Sequence, residues 1–146
     1  MIARFSTFCH YAARREDGAA AVEFAIIIPV FLMIVFGIIT FGAYLSVVHS
    51  VQQLAAEAAR ASVGGLSDAE RVTLAEANIR SHVGAYILIE PARLVVEQAT
   101  TDSLTATFSV RLRYDAAGMF IFQLPNFVPM PPPQIVRSAA IQRGGY

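Results

Sequence analysis

Hydrophobic patterning divides the chain into a polar head, one long apolar run and an alternating tail. From Phe24 to Val48 no residue carries a charged side chain. As a helix these 25 residues rise about 37 Å, enough to cross a hydrocarbon core of about 30 Å with some tilt. Pro29 inside the run frees one carbonyl and favours a kink, which membrane helices tolerate. The helical pattern outlasts the run. Val47, Val51, Leu54, Ala58 and Ala61 step by four, three, four and three, while Gln52, Gln53, Glu57 and Arg60 occupy other faces; this is a heptad-like stripe. Gly64-Gly65 supplies a stop, because glycine takes the left-handed cap position cheaply. One helix over about residues 19–63 is expected, half in lipid and half outside.

Beyond it, Ser67-Asp68-Ala69-Glu70 has the form of a capping box, with Ser67 as N-cap and Glu70 reaching back. It opens a second helix to about Val83, with Val72, Ala75, Ile79 and Val83 on one stripe and Gly84 ending it. Leu94 to Ala99 predicts a strand, followed by a turn at Thr100–Ser103. Leu104 to Tyr114 gives the clearest strand signal. Phe108, Val110, Leu112 and Tyr114 alternate with Thr107, Ser109, Arg111 and Arg113, the period of a half-buried strand. The stretch Met119 to Pro133 holds Pro125, Pro129 and Pro131-Pro132-Pro133 and predicts an irregular loop with polyproline character. Ile135 to Gln142 predicts a last strand. The fold class is therefore α+β: a long amino-terminal transmembrane helix, a short helix and a small antiparallel sheet. Its expected divisions are a leader at 1–18, the helix at 19–63 and an exported domain at 66–146.

Composition sharpens this picture at three points. At 55% hydrophobic residues and 15% charged, with a mean hydropathy of +0.53, the chain is too apolar for an ordinary soluble domain. All eleven basic residues are arginines, with no basic run beyond Arg14-Arg15, so nucleic-acid binding has no support. Cys9 is the only cysteine, which excludes an internal disulfide or a cysteine-built zinc site. Arg4, Arg14 and Arg15 precede the apolar run and predict a cytoplasmic leader with an exported carboxyl side. A cleaved secretory signal would have an apolar core of about 7–15 residues with the small residues after it. Here the run is longer and the small residues stand in front.

Those small residues end at an acid, Gly18-Ala19-Ala20-Ala21-Val22-Glu23-Phe24. A carboxylate where a chain enters lipid is costly unless it is paired or snorkels to the interface. The string resembles the processing site of type IV pilins. Continued through Ala25-Ile26-Ile27-Ile28-Pro29 and Phe36-Gly37-Ile38-Ile39-Thr40-Phe41-Gly42, it is similar to the TadE-like minor pseudopilins of the Tad (Flp-type) pilus. The resemblance covers about residues 14–60. It implies that a prepilin peptidase cuts after Gly18, that Ala19 becomes the new amino terminus, and that Glu23 and Phe24 stand fifth and sixth in the mature chain and serve assembly. The partners implied are that peptidase, the major Flp pilin, other minor pseudopilins and the inner-membrane assembly platform. The implied location is the inner membrane, single-pass, with the carboxyl-terminal domain exported. In assembly Glu23 of one subunit would meet the Ala19 ammonium of its neighbour, turning two costly buried charges into a pair.

Against this stands an uncleaved, signal-anchored sensor or binding module. Alone, Glu23 is explained by an acid near a helix start, where negative charge is mildly favoured. His10, His49 and His82 lack metal-ligand spacing, and Ser62, Ser67 and Ser103 lack a nucleophile context. Glu70, Glu76, Glu90 and Glu97 fit caps and solvated faces. Neither an enzyme nor a cofactor or metal site is expected. Phe120, Phe122 and Phe127 predict a loop covering one side of the sheet, with an exposed partner patch as the alternative. Gly42 and Ser46 form a small-residue pair of low weight.

Overall fold

A computed structural model describes residues 3–102, 104–123 and 130–142. Helix α1 runs from Ala3 to Ala61 with Pro29 inside it. It starts well before residue 19 because nothing between Ala3 and Asp17 is a glycine or proline, and alanine and arginine favour helix. Two compact units divide the chain, Met1–Ile39 and Thr40–Tyr146. In the first, Val22, Phe24, Ile26, Phe31, Ile34 and Ile38 all present more than half of their surface. Almost none of the most apolar window of α1 is buried, so this is not the core helix of a soluble protein. An apolar face this wide needs an apolar surrounding, which is the pattern of a single-pass membrane anchor.

The second unit is built around the other half of α1. Val47, Val51, Leu54 and Ala58 are fully buried, as the heptad-like stripe requires, and Ala61 is half-buried. A 3-10 turn at Ser62–Gly64 leads to helix α2, Asp68–His82. Ser67 Oγ accepts from Glu70 N at 3.2 Å. The Glu70 carboxylate reaches one residue farther back than expected, accepting from Leu66 N at 2.9 Å. Ala75, Ile79 and Val83 are buried and Val72 half-buried, so one face of α2 joins the core.

The stop between the helices works differently from the expectation. No described glycine has a positive φ, and Gly65 is extended at φ −75°, ψ 133°. Its lack of a side chain matters through space. A Cβ there would lie 2.7 Å from Arg71 Cγ, 2.9 Å from Arg71 N and 3.1 Å from Arg71 Cα. Two of those atoms are backbone and cannot swing away. Gly65→Ala is therefore expected to destabilise the unit by about 1–3 kcal/mol, the usual cost of overpacking. Gly64→Ala, which would meet nothing within 4 Å, is expected to be nearly silent. Denaturant midpoints of the two variants check the contrast.

Strands β1 (Leu94–Asp102), β2 (Thr107–Asp115) and β3 (Gln134–Gln142) form an antiparallel meander in that order. Phe108, Val110, Leu112 and Tyr114 of the central strand are buried, so the alternation read from the sequence is the inward face. In β1 the register shifts between Val96 and Gln98, which pair with Leu112 and Arg111. Glu97 is the extra residue of this bulge. It lets Leu94, Val96, Ala99 and Thr101 all lie toward the core, and its carboxylate pairs with Arg113 Nε at 2.8 Å.

The first hairpin turn falls later than expected, because Thr100 and Thr101 pair with Ser109 and Phe108 in the ladder. Asp102 accepts from Leu104 N and from the Thr105 hydroxyl, each at 2.9 Å. These bonds, the Leu104 amide first, hold its carboxyl below the ordinary range. Ala106 sits at φ 51°, a left-handed position that glycine fills with less strain. On edge strand β3, Arg137 takes an inward register opposite Leu112 and donates to Val136 O at 3.0 Å. An inward charge of this kind discourages edge-to-edge pairing. Gln52 of α1 donates to Ser138 O at 3.1 Å, tying the helix to the same strand.

Candidate assembly site on the amino-terminal helix

Gly18, Ala19, Glu23 and Phe24 all lie on one unbroken stretch of α1. Ala19 to Ala21 are the strongest helix formers, whereas Gly18 costs about 1 kcal/mol relative to alanine inside a helix. A weak helical link thus stands immediately before the three alanines. A Cβ at Gly18 would meet nothing within 4 Å, so packing does not require glycine there. Ala19 and Glu23 are four apart and share one face, the spacing at which helical side chains are neighbours. Both are exposed, as is Phe24 at 63%. Among the described residues Glu23 has no hydrogen bond or ion pair within the chain. The arrangement offers one carboxylate on a smooth helix surface, at the start of an apolar stretch.

Other candidate residues are dispersed. His49 is exposed on α1. His82 ends α2, where its Nδ1 lies 2.9 Å from Asn78 O and 2.9 Å from Ser81 Oγ. Ser67 and Glu70 act as caps, Glu90 pairs with Arg93, and Glu97 with Arg113. Among the described residues no three His, Cys, Asp or Glu side chains gather as a metal site would. The Cys9 and His10 side chains, Ser103 and Phe127 lie outside the described residues. Of the remaining aromatics in the proline-rich stretch, Phe122 is half-buried and Phe120 is 58% exposed, with Ile121 buried between them. The cluster thus divides between covering the core and facing outward.

Two contacts have no counterpart in the sequence pattern. Tyr44 Oη donates to Pro132 O at 3.1 Å, and its ring meets Phe122 edge-on at 6.2 Å between centroids. Tyr86 Oη donates to Glu57 Oε2 at 3.4 Å, while Gln53 donates to the other Glu57 oxygen at 3.0 Å. Burial first, then the Glu57 charge and hydrogen bond, push the Tyr86 hydroxyl above its ordinary pKa. One signal does point to Tyr44, which is the one hydroxyl-bearing aromatic in the apolar run. Tyrosine buried with its ring usually finds a partner for its hydroxyl.

The site's surroundings agree with a known family. Residues 18–60 match the model of the TadE-like protein family, a match that begins at Gly18 and closes just before the end of α1. No curated protein and no solved structure matches the chain. The helix bearing Gly18 and Glu23 is thus similar to the TadE-like family over residues 18–60, a match consistent with a TadE-like protein of Tad pilus systems.

Proposed function

We propose that this chain is a minor pseudopilin, a non-catalytic subunit cut by a prepilin peptidase after Gly18 and then incorporated into, or initiating, a Tad/Flp adhesive pilus. The observation that carries this is the position of Glu23. It stands five residues after Gly18, on an exposed helix face, with nothing in the described chain to neutralise it. Removing residues 1–18 would create an ammonium at Ala19, one helical turn from that carboxylate. Stacked subunits could then pair the ammonium of one with the carboxylate of the next. The folded unit beyond Thr40 supports a minor subunit, because a major pilin of this type has little beyond its helix. The peptidase, the major pilin, other minor pseudopilins and the inner-membrane platform are the partners in this scheme, with the carboxyl-terminal unit exported.

The helical state of Gly18 bears on the cut. A peptidase needs local unwinding around the scissile bond, and the glycine lowers the cost of that opening. Protein co-expressed with the peptidase and recovered from membranes is expected to have lost residues 1–18 by intact mass. Gly18→Leu is expected to keep its full length, because a bulky side chain blocks a site built for none. A mature chain still starting at Met1, or one cut beyond the apolar run, would leave the uncleaved anchor as the better account.

A further inference from the structure

We infer that the free edge of β1 is a self-association surface, on which two copies of this chain pair antiparallel over Arg93–Glu97 with Val95 facing Val95 on a twofold axis. The inference concerns the Thr40–Tyr146 unit alone and does not depend on cleavage at Gly18. The sheet has two edges, and the chain treats them differently. On β3, Ser138 O already accepts from Gln52 Nε2 at 3.1 Å and Val136 O from Arg137 Nη1 at 3.0 Å. An edge occupied in this way, with an arginine turned inward, is a poor template for a further strand. Among the described residues β1 pairs on one side only, with β2, and no side chain from outside the sheet bonds to its backbone. Beside that edge the core is incomplete. Leu112 and Tyr114 of β2 are buried, whereas their β1 partners Val96 and Leu94 are half-buried. With Ile79 and Val83 of α2 they line an open recess of about 400 Å³.

The residues of this edge select a second copy and one register. The 3-10 turn at Pro91–Arg93 bounds the open stretch at one end and the Glu97 bulge at the other, so the contact is short. Leu94 N donates to Pro91 O, which turns the Leu94 backbone away from β2, and strand alternation turns that of Val96 the same way. An axis at Val95 sets Leu94 of each copy opposite Val96 of the other, extending the apolar rim of both recesses. Val96 N then donates to Leu94 O of the other copy, twice by symmetry. The same register puts Arg93 opposite Glu97 of the other copy, also twice, and unlike charges directly opposite stabilise paired strands. Val95, 45% exposed, meets itself on the outer face, an apolar pair with no charge to desolvate. An axis at Gln98 would instead set Leu94 against Asp102 and Val96 against Thr100. Identical copies also repel unless the edge is neutral. Here Glu90 pairs with Arg93 and Glu97 with Arg113, and Glu76 and Arg80 line the recess together. Asp115 stands one position beyond the Leu94–Tyr114 pair, on the Arg93 side, and Arg111 lies opposite Gln98 past the bulge. Acids and cations therefore balance along the whole edge.

The test uses the full chain with Cys9→Ser, in detergent micelles and in phosphatidylethanolamine/phosphatidylglycerol vesicles. Directly opposite residues of antiparallel strands have Cα atoms about 4.5–5.5 Å apart, within disulfide reach. Under mild oxidation Val95→Cys is expected to form a covalent dimer. It should do so about tenfold faster than Ala140→Cys, an exposed position on β3, because pairing holds the two thiols together. Val95→Lys and Val95→Glu each set like charges face to face, and each is expected to cut co-purification of differently tagged copies about tenfold. A mixture of the two variants is expected to regain it, because the axis then joins unlike charges. Since Val95 is exposed, both variants should resist limited proteolysis as the wild type does. Val95→Cys linking no faster than Ala140→Cys, or a mixture no better than either variant alone, would overturn the inference. Protection of the Val95→Cys thiol only after other pilus subunits are added would overturn it in favour of a different partner on the same edge. None of these readouts requires leader removal or a pilus, so each outcome is distinct from failure of the proposed function.

Discussion

Glu23→Ala is expected to leave removal of the leader largely intact and to abolish incorporation into the pilus. The two effects separate because the substituted residue lies downstream of the bond being cut. Alanine is also the best helix former, so α1 keeps its shape and its apolar face. What disappears is the charge that would meet the Ala19 ammonium of a neighbouring subunit. Leaving one member of a buried pair without its partner costs about 3–5 kcal/mol. At about 1.4 kcal/mol per tenfold, association should fall by roughly two orders of magnitude or more. Glu23→Gln tests charge against shape and is expected to fail nearly as badly, since the amide cannot neutralise an ammonium. Cross-linking to the other pilus subunits, at matched membrane levels, is the measurement. Wild-type cross-linking in either variant would return Glu23 to the status of an acid near a helix start.

The helix, the cap and the central strand are legible in the sequence because each has a period or a local chemistry of its own. Val47, Val51, Leu54 and Ala58 announce their burial by spacing alone, and all four are fully buried. The Ser67–Glu70 cap needs four adjacent residues and no tertiary context. The inward face of β2 follows from alternation. Strand β1 is harder, because the bulge at Glu97 breaks its period midway and a strict alternation stops at Ala99. Thr100 and Thr101 look like turn residues until their β2 partners are known, so sequence alone places the turn too early. The helix-stop glycines show the same limit. Sequence marks Gly65 as special, but the reason is the Arg71 backbone lying against it, a contact that exists only after α2 folds back.

The candidate assembly site is legible as residues and not as geometry. Gly18, Ala19, Glu23 and Phe24 can be named from their order, and the match over residues 18–60 covers the same positions. That the helix passes straight through Gly18 cannot be read from the resemblance, which rests mainly on the residues after the glycine. The partners of Tyr44, Pro132 and Phe122, are invisible for another reason. Their meeting depends on contacts 88 residues apart in the chain, Tyr44 to Pro132, and no local pattern encodes those.

Val110→Asp is expected to unfold the carboxyl-terminal unit and prevent pilus formation while the leader is still removed. Val110 is fully buried at the centre of β2, paired with Ala99 on one side and Ala139 on the other. Small neighbours leave it surrounded by apolar surface with no donor to receive a carboxylate. Losing its burial forfeits about 1.5–3 kcal/mol, and an unpaired buried charge adds several more or forces protonation. Against a total stability of about 5–15 kcal/mol for a folded domain, and nearer the lower end for a unit this small, the substitution leaves little native state. Val110→Ala removes only two carbon atoms and is expected to cost about 2 kcal/mol, lowering stability without loss of fold. Limited proteolysis of membranes reports folding, and pili per cell report assembly. The pair should track each other: Val110→Asp degraded and bare, Val110→Ala somewhat more labile and piliated. Alanine at His49 or His82, both exposed, should leave both readouts near normal. A histidine substitution that stopped function in a still-folded unit would instead demand a chemical role for that ring. A folded, protease-resistant Val110→Asp would mean that the β2 face is not the core of this unit.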